Sequence, residues 1–473
     1  MNKADSEKVN MILLQSGMMK TNDWKDADLV IYNTCSVRQK WEDRVFGMSE
    51  EIRRENSKRK ELGETRYILT WITWCMVRKT GLNKMYLEED TIRKKAKKIE
   101  YIKDSSWIFN NDDKLFPRLP PLDFTLRIEE VKYLPFILTH IYWEKIWSDD
   151  KFDDYLKSKQ LRENPASASV IVQTGCDNYC TFCIVPYTRG REISRPHADI
   201  ISEAKELVAN GTKEISLVGQ NVNSYGKQSN IKLWNEEKST WNEWIWKSPF
   251  GQLLSELDTI EWLDRIRFTS SNPHDMTADI LDSHFDLKST CNYLHFALQS
   301  WDSTMLKKMN RRHNYELFRD MVHELRAKDP LFSISTDIIV GYSWETEEMF
   351  QNTVKAFKEC EFDFAFIARY SVRQGTIASK AFPDDVPDEV KAERWHILNK
   401  ILLENVTKRN TLMLWRIEEV MISGQKDDYF FWRTRNFKEV FFKDQTNSIK
   451  TWDIVSVKIT ELDRYVLRWE LQY

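Results

Sequence analysis

Residues 175–195 read GCDNYCTFCIVPYTRGREISR, in which Cys176, Cys180 and Cys183 form a C-x3-C-x2-C triplet. A structural zinc ion closes its shell with four ligands, commonly as two separated pairs. Three thiolates on one tight loop can instead hold three irons of a 4Fe-4S cluster and leave the fourth iron open to a substrate. Tyr179 and Phe182 sit among the cysteines and would keep such a cluster partly dry. No fourth Cys or His lies nearby in the sequence to complete a zinc shell. From spacing alone, a zinc knuckle or unpaired core thiols stay open as the other readings.

Two further cysteines sit where elements end. The pattern predicts a helix over 4–16, with Val9, Ile12, Leu13 and Ser16 on one side and Gly17 as its stop. A strand over 28–33, a helix from Ser36 and a strand over 67–73 follow. Cys35 and Cys75 come just after the two strands. Carboxyl ends of neighbouring parallel strands converge on one sheet edge, the usual ligand edge of open α/β folds, so the two thiols can share a metal cluster. Two buried structural cysteines are the alternative. Residues 83–165, broken by LFPRLPP at 115–121, read as a linker or insertion.

Beyond the cysteine loop, helices and strands alternate. Helices are predicted over 198–209, 314–328 (with Leu317, Phe318, Met321, Val322 and Leu325 inside) and 345–360, and strands over 214–218, 332–340 and 364–370. Repeats of this length read as a parallel barrel, whose active site lies at the carboxyl ends of its strands. The motif loops LVGQNVNSYG (217–226), TSSNPHD (269–275) and IIVGYSWET (338–346) fall at such ends. The last segment changes to five short strands, over 419–423, 430–433, 438–442, 454–460 and 465–470. That pattern suggests a small antiparallel barrel of the kind that binds single-stranded nucleic acid. Within it, RTRNFKEVFF (433–442) mixes cations and aromatics, which suits phosphate contact and base stacking through Arg433, Arg435 and Lys438.

The triplet, with an aromatic before its last Cys, resembles the radical SAM superfamily. FCIVPYTRGREISR narrows the likeness to the tRNA methylthiotransferases of the MiaB type, and NTCSVRQK (33–40) and TWCMVRKTG (73–81) are similar to that family's second and third auxiliary-cluster motifs. The resemblance implies an α/β chain in three parts: an N-terminal open α/β cluster-binding domain over 1–82, a partial (β/α)6 radical SAM barrel over 166–404, and a TRAM-like RNA-binding barrel over 405–473. It implies two 4Fe-4S clusters, one on Cys176, Cys180 and Cys183 and an auxiliary one on Cys35 and Cys75. The family's first auxiliary ligand would stand two residues before Met1, so the chain is expected to hold two of that cluster's three ligands. S-adenosylmethionine would meet Tyr179, Phe182, Gly219, Gln220, Asn221, Ser271 and Gly341. One S-adenosylmethionine would methylate sulfur at the auxiliary cluster. A second would yield the 5'-deoxyadenosyl radical that abstracts hydrogen from C2 of the adenine.

The substrate implied is tRNA carrying N6-isopentenyladenosine at position 37, beside the anticodon, with an electron donor such as flavodoxin or ferredoxin. Alternatives are relatives acting on threonylcarbamoyl-adenosine or a ribosomal protein, a radical SAM enzyme with a single working cluster, or an inactive RNA-binding relative. Arg189, Arg191 and Arg195 follow the loop and could meet S-adenosylmethionine, RNA phosphate or surface carboxylates.

Composition bounds these readings. The net charge of −3 over 473 residues leaves any RNA affinity to local patches. Seven cysteines, five in motif-like settings, suit a reducing cytosol rather than a disulfide framework. No apolar run approaches a membrane span. A soluble, cytoplasmic monomer is expected. Gly numbers only 13 while Trp reaches 19. Trp74, Trp301, Trp344 and Trp432, and similarly Trp41, Trp415, Trp452 and Trp469, stand where the family has Gly; others, such as Trp234, look genuine. The expectation is that UGA codons decoded as glycine in the source lineage have been read as tryptophan, because Gly serves left-handed turns and close approaches that an indole strains.

Overall fold

The computed structural model describes residues 1–34, 39–64, 67–74, 124–126, 128, 131, 134, 135, 138, 156, 166–227, 248–426, 429–442, 452–463 and 466–471. The chain divides into two compact units. One comprises residues 1–163, 174–177 and 183–193; the other comprises 164–173, 178–182 and 194–473.

In the first unit, helix α1 (Asn2–Gln15) precedes strand β1 (Leu29–Thr34), helix α2 (Gln39–Glu61) and strand β2 (Leu69–Trp74). β1 and β2 pair in parallel from Leu29↔Leu69 to Thr34↔Trp74. Tyr32, Val45, Ile52 and Ile68 form the core beneath α2. The sheet has a third parallel strand, β3 (Phe124–Leu126), paired with Trp71, Ile72 and Thr73 of β2. Part of the stretch read as a linker therefore belongs to the sheet: three consecutive ladder residues, Phe124, Thr125 and Leu126, are too short a run to give a periodic signal.

Among the described residues, the second unit carries six parallel strands in two sheets. β4 (Ser167–Ile171) ends just before β5 (Gln173–Thr174), which with β6 (Ile193–Ser194) brackets the cysteine loop in sequence. The four-residue helix α3 (Val185–Thr188) lies between them in the chain. Helix α4 (His197–Ala209) leads to β7 (Glu214–Val218), then α5 (Pro249–Asp258), β8 (Arg265–Phe268), α6 (Ala278–Asp286) and β9 (Tyr293–His295). The short α7 (Ser303–Lys308) and α8 (Tyr315–Lys328) precede β10 (Ser333–Val340), and α9 (Glu347–Cys360) precedes β11 (Phe364–Arg369). β4, β7 and β8 form one parallel sheet, β9, β10 and β11 another. Parallel bridges Ile266↔Thr290 and Ser271↔Phe296 join the segments between them.

Alternation along each strand sorts the two faces. Ala168, Val170, Ile215, Leu217, Ile266, Phe268, Leu294, Ile334, Ile338 and Ala365 pack with the helices into one core. The intervening residues on the opposite face are largely polar, among them Ser169, Glu214, Arg265, Arg267, His295, Ser335 and Asp337. On α8, Phe318, Met321, Val322 and Leu325 are buried as the sequence predicts, but Leu317 is exposed. Its backbone N–H is capped by Asn314 at 2.9 Å, which places it in the first turn, off the buried stripe.

After α10 (Ile377–Ala381) and the long α11 (Asp388–Thr411), strands β12 (Ile417–Lys426), β13 (Tyr429–Thr434), β14 (Glu439–Phe442), β15 (Ile454–Asp463) and β16 (Val466–Leu471) close into a barrel. Met413, Val420, Ile422, Val440, Val457 and Ile459 fill it. The barrel is not wholly antiparallel, because β14 and β16 pair in parallel. Five strands cannot close with every neighbour reversed, so one pairing must be parallel.

Among the described residues, four tryptophans have left-handed backbones: Trp262 (φ +70°), Trp344 (+62°), Trp415 (+68°) and Trp452 (+82°). Trp344, Trp415 and Trp452 are among the positions expected to be glycine, and Trp262 is not. Trp301 differs from its expectation. It is buried, stacks on Tyr315 at 4.7 Å and Phe318 at 5.8 Å, and has no left-handed angle, although its indole N–H finds no acceptor among the described residues. Trp41 lies in α2 and Trp74, Trp432 and Trp469 lie in strands, conformations that do not call for glycine.

Candidate functional site

Cys35 and Cys75 lie outside the described residues. Each follows directly on a strand, however, and Thr34↔Trp74 is the last pair of the parallel ladder between those strands. The sequence inference that the two motifs leave one sheet edge has this register behind it.

The cysteine loop is held by different partners along its length. In the first unit, Gly175 (φ +77°) lies so close to Arg191 that any side chain would strike its carbonyl oxygen. Cys176 N–H donates to Gly190 O at 3.3 Å, and Asp177 accepts from Glu192 N–H at 3.3 Å and pairs with exposed Arg191 at 2.7 Å. Arg189 forms a buried ion pair with Asp5 at 2.7 Å and donates to Thr174 Oγ1 at 3.2 Å.

In the second unit, Thr181 is the anchor. Its N–H donates to Met309 O at 3.1 Å, its Oγ1 donates to Lys308 O at 2.8 Å and shares a 2.7 Å hydrogen bond with Tyr342, and its carbonyl accepts from Ala378 N–H at 2.8 Å. Asn310 donates to the carbonyls of Asn178 and Tyr179 at 3.0 and 3.1 Å, where Tyr179 takes a left-handed φ of +48°. Arg311 Nη1 lies 3.6 Å from Cys180 Sγ, and Phe182 meets Tyr342 edge-on at 6.3 Å. Arg195 pairs with Glu203. Of the three arginines that follow the cysteines, each is therefore already engaged by a carboxylate.

Cys176 and Cys180 are buried, Cys183 is half-buried, and none is in a disulfide. Among the described residues no three Cys, His, Asp or Glu side chains come within reach of one metal ion. A four-iron cube takes its thiolates at separate corners, a wider spacing than a single ion requires. The Arg311 guanidinium beside Cys180 Sγ suits an anionic cluster. Cys291 and Cys360, the cysteines outside any motif, are buried, and burial pushes the Cys360 thiol up to about 12, which makes it inert.

The loops after β7 and β8 are cross-braced. Asn223 Nδ2 donates to Asn272 O and Asn272 N–H to Asn223 Oδ1, both at 2.9 Å, while Asn221 donates to Asp275 at 2.7 Å and Lys227 pairs with Asp275 at 3.0 Å. This bracing leaves Gln220 Oε1, Asn221 Oδ1 and Ser271 Oγ buried with no partner among the described residues. Unmet buried polar atoms are costly unless a ligand satisfies them, so these three fit a polar cofactor such as S-adenosylmethionine. Gly219 and Gly341 are required by packing: a side chain on Gly219 would meet Gln173, and one on Gly341 (φ +70°) would meet Lys391. Glu345, four residues on, accepts from Gly341 N–H at 2.6 Å and from Arg394 at 2.8 Å. Burial raises it to about 6, against the pull of those two donors.

The cations expected to bind RNA are placed otherwise. Lys438 is buried on Asp363 at 2.6 Å, and Arg435 donates to the carbonyls of Asp264, Lys288 and Thr290 at 3.1, 2.7 and 3.2 Å. Arg433 pairs with Glu439 at 2.9 Å and lies 4.0 Å over the Phe437 ring. Phe437 stacks on Tyr293 at 4.2 Å, and Arg267 donates to Thr434 O and Arg435 O at 2.9 and 2.8 Å. The turn over 433–438 thus caps the amino-terminal ends of β8 and β9. Arg435 and Lys438, expected to meet RNA, thus have donors occupied by protein carbonyls and by a buried carboxylate.

The sequence pattern of the Radical SAM superfamily matches residues 170–357, and that of the "Uncharacterized protein family UPF0004" matches residues 1–98. A tRNA-2-methylthio-N(6)-dimethylallyladenosine synthase of Clostridium botulinum (strain Okra / Type B1) is 35% identical over 99% of this chain and 94% of its own length. The chain belongs to this synthase family. A synthase of the same name from Protochlamydia amoebophila (strain UWE25) is 36% identical over 100% of this chain and 94% of its own. The structure of coproporphyrinogen III oxidase from Escherichia coli, a radical SAM enzyme, is 18% identical over 52% of this chain and 53% of that one, with a TM-score of 0.36. Sequence reasoning about this synthase-family chain missed Gln173, Asn223, Asp275 and Arg311, which act through pairings formed only in the fold. Among the described residues no helix is long and apolar enough to cross a membrane.

Proposed function

We propose that the chain transfers a methylthio group to C2 of N6-dimethylallyladenosine, the isopentenyladenosine of the sequence reading, in tRNA, using S-adenosylmethionine and two 4Fe-4S clusters. The observation that carries this is the 35% identity along 99% of the chain to a synthase of that name, joined to three cysteines on one loop, none of them in a disulfide. Cys176, Cys180 and Cys183 would hold one cluster, and Cys35 and Cys75 two corners of the other. When bound, the first cluster supplies the electron that cleaves S-adenosylmethionine.

The chain's own part is placement. Thr181, Asn310 and Tyr342 fix the middle of the loop, Arg311 reaches the sulfur of Cys180, and Gln220, Asn221 and Ser271 offer unmet polar atoms to the cofactor. The six parallel strands are in keeping with a partial (β/α)6 barrel, and the terminal barrel with a TRAM-like module, its RNA face lying elsewhere than Arg435 and Lys438. A tRNA position beside the anticodon, a flavodoxin- or ferredoxin-type donor and a cytoplasmic monomer complete the reading.

Anaerobic reconstitution tests it. Iron and sulfide matching two four-iron clusters, with methylthiolated nucleoside recovered from tRNA, is the expected result. Iron for one cluster, with S-adenosylmethionine cleaved and no sulfur in the RNA, would overturn it in favour of another radical SAM class.

A further inference from the structure

The β9–β10–β11 sheet carries an unusual set of side chains on the face turned from the helices. His295, Ser335 and Phe364 lie on one rung of the parallel register, and Asp337 and Phe366 are paired on the rung above. The helix-facing residues of β10, Ile334, Ile338 and Val340, are fully buried, whereas Phe364 and Phe366 are 46% and 39% exposed and the Asp337 side chain is 38% exposed. Phe364 and Phe366 meet edge to face at 4.7 Å, and Phe366 meets His295 at 5.9 Å.

The polar members are fixed. His295 bonds Ser335 Oγ through Nδ1 at 2.8 Å and Asp337 through Nε2 at 3.2 Å, and Tyr293 bonds the same Ser335 Oγ at 2.7 Å. Below, Tyr293 is covered by Phe437. Above, Ile339 packs in the cluster of Phe182 and Tyr342, beside the loop that carries Cys180. An aromatic surface and an oriented carboxylate therefore lie between a closed floor and the cysteine loop.

We propose that this patch binds the modified base of the RNA by its N6 substituent. The apolar branch of a dimethylallyl group would lie against Phe364 and Phe366, and the single N–H left on the exocyclic nitrogen would donate to Asp337, held in place by His295. The inference rests on the function proposed above and adds the residues that tell an alkylated adenine from a bare one. Unmodified adenine keeps the N–H donors but leaves the phenylalanines uncovered.

The test uses reconstituted full-length protein and two anticodon stem-loops that differ only in carrying N6-dimethylallyladenosine or plain adenosine. Wild-type protein is expected to bind the alkylated stem-loop more tightly. Phe366→Ala should raise its KM and Kd for that stem-loop tenfold or more, the usual size of lost apolar contacts in a specificity pocket, with a smaller change in kcat and little change for plain adenosine. Phe366→Leu should recover part of the loss, and unchanged iron content and circular dichroism would show both variants folded. Unchanged Kd and preference in folded Phe366→Ala would overturn the patch. If wild-type protein forms no methylthio product, the function fails instead, and the binding comparison still decides the patch.

Discussion

Trp262 and Trp415 are 75% and 66% exposed, yet with Trp452 they hold backbones at φ +70°, +68° and +82°. A side chain in this region costs about 1–2 kcal/mol through the clash of Cβ with the following carbonyl. Replacing Trp by Gly relieves that cost but also removes the indole's contacts, including Lys458 lying 5.8 Å over the Trp415 ring. The informative comparison is therefore Gly against Ala at the same site, since both lose the indole and only Ala keeps the Cβ. Gly carries an entropic cost of about 0.5–1 kcal/mol relative to Ala. The difference of the mid-range values leaves Gly the more stable by about 0.8 kcal/mol at each of the three sites, within a span of about 0–1.5. Exposed His323, in the interior of helix α8, is the control, where Ala should exceed Gly by about 1 kcal/mol. Urea midpoints of the paired variants, read by two probes to check two-state unfolding, measure the inversion. Ala equal to or better than Gly at all three tryptophans would refute a left-handed backbone imposed by the fold. The reading of these codons as glycine has its own check: an indole mass in native peptides spanning Trp262, Trp344, Trp415 and Trp452 rules it out.

Asp363 takes Lys438 at 2.6 Å, Arg326 at 3.1 Å and Arg409 at 3.3 Å; burial alone would raise its carboxyl, but the three cations outweigh that and hold it below the usual range. Asp363→Asn should cost about 3–5 kcal/mol by leaving buried cations without their carboxylate, measured by the same urea midpoints. Glu345 titrates in the opposite sense. Its folded value of about 6 lies above the unfolded carboxylate range, so the folded state binds its proton more tightly. Stability should then fall by about 2 kcal/mol as pH rises from about 4.3 to 6 and stay level above; a Glu345→Gln variant that keeps the slope would assign it elsewhere. Arg435→Ala should lower stability while leaving the salt dependence of tRNA binding unchanged, because its guanidinium holds protein carbonyls; a slope reduced by about one unit would restore it as a phosphate ligand.

The chemistry was legible in the sequence because it depends on residue type and local spacing. The triplet at Cys176, Cys180 and Cys183 puts three thiols on one short loop wherever that loop packs, and period-two alternation marks which residues of β7, β8 and β10 face the helices. The strands carrying the terminal barrel were legible for the same reason. What the sequence could not reveal is which charged and aromatic residues are already engaged. RTRNFK reads as an RNA-binding run by composition, but only the fold brings Lys438 to Asp363, Arg435 to carbonyls of residues 264, 288 and 290, and Phe437 onto Tyr293. The same holds for Arg189 and Asp5, and for His295 and Asp337, each pair far apart in the chain. Local sequence determines what a side chain can bond, whereas its partner is decided by long-range packing, since burial makes an unmet charge or donor too costly to leave alone.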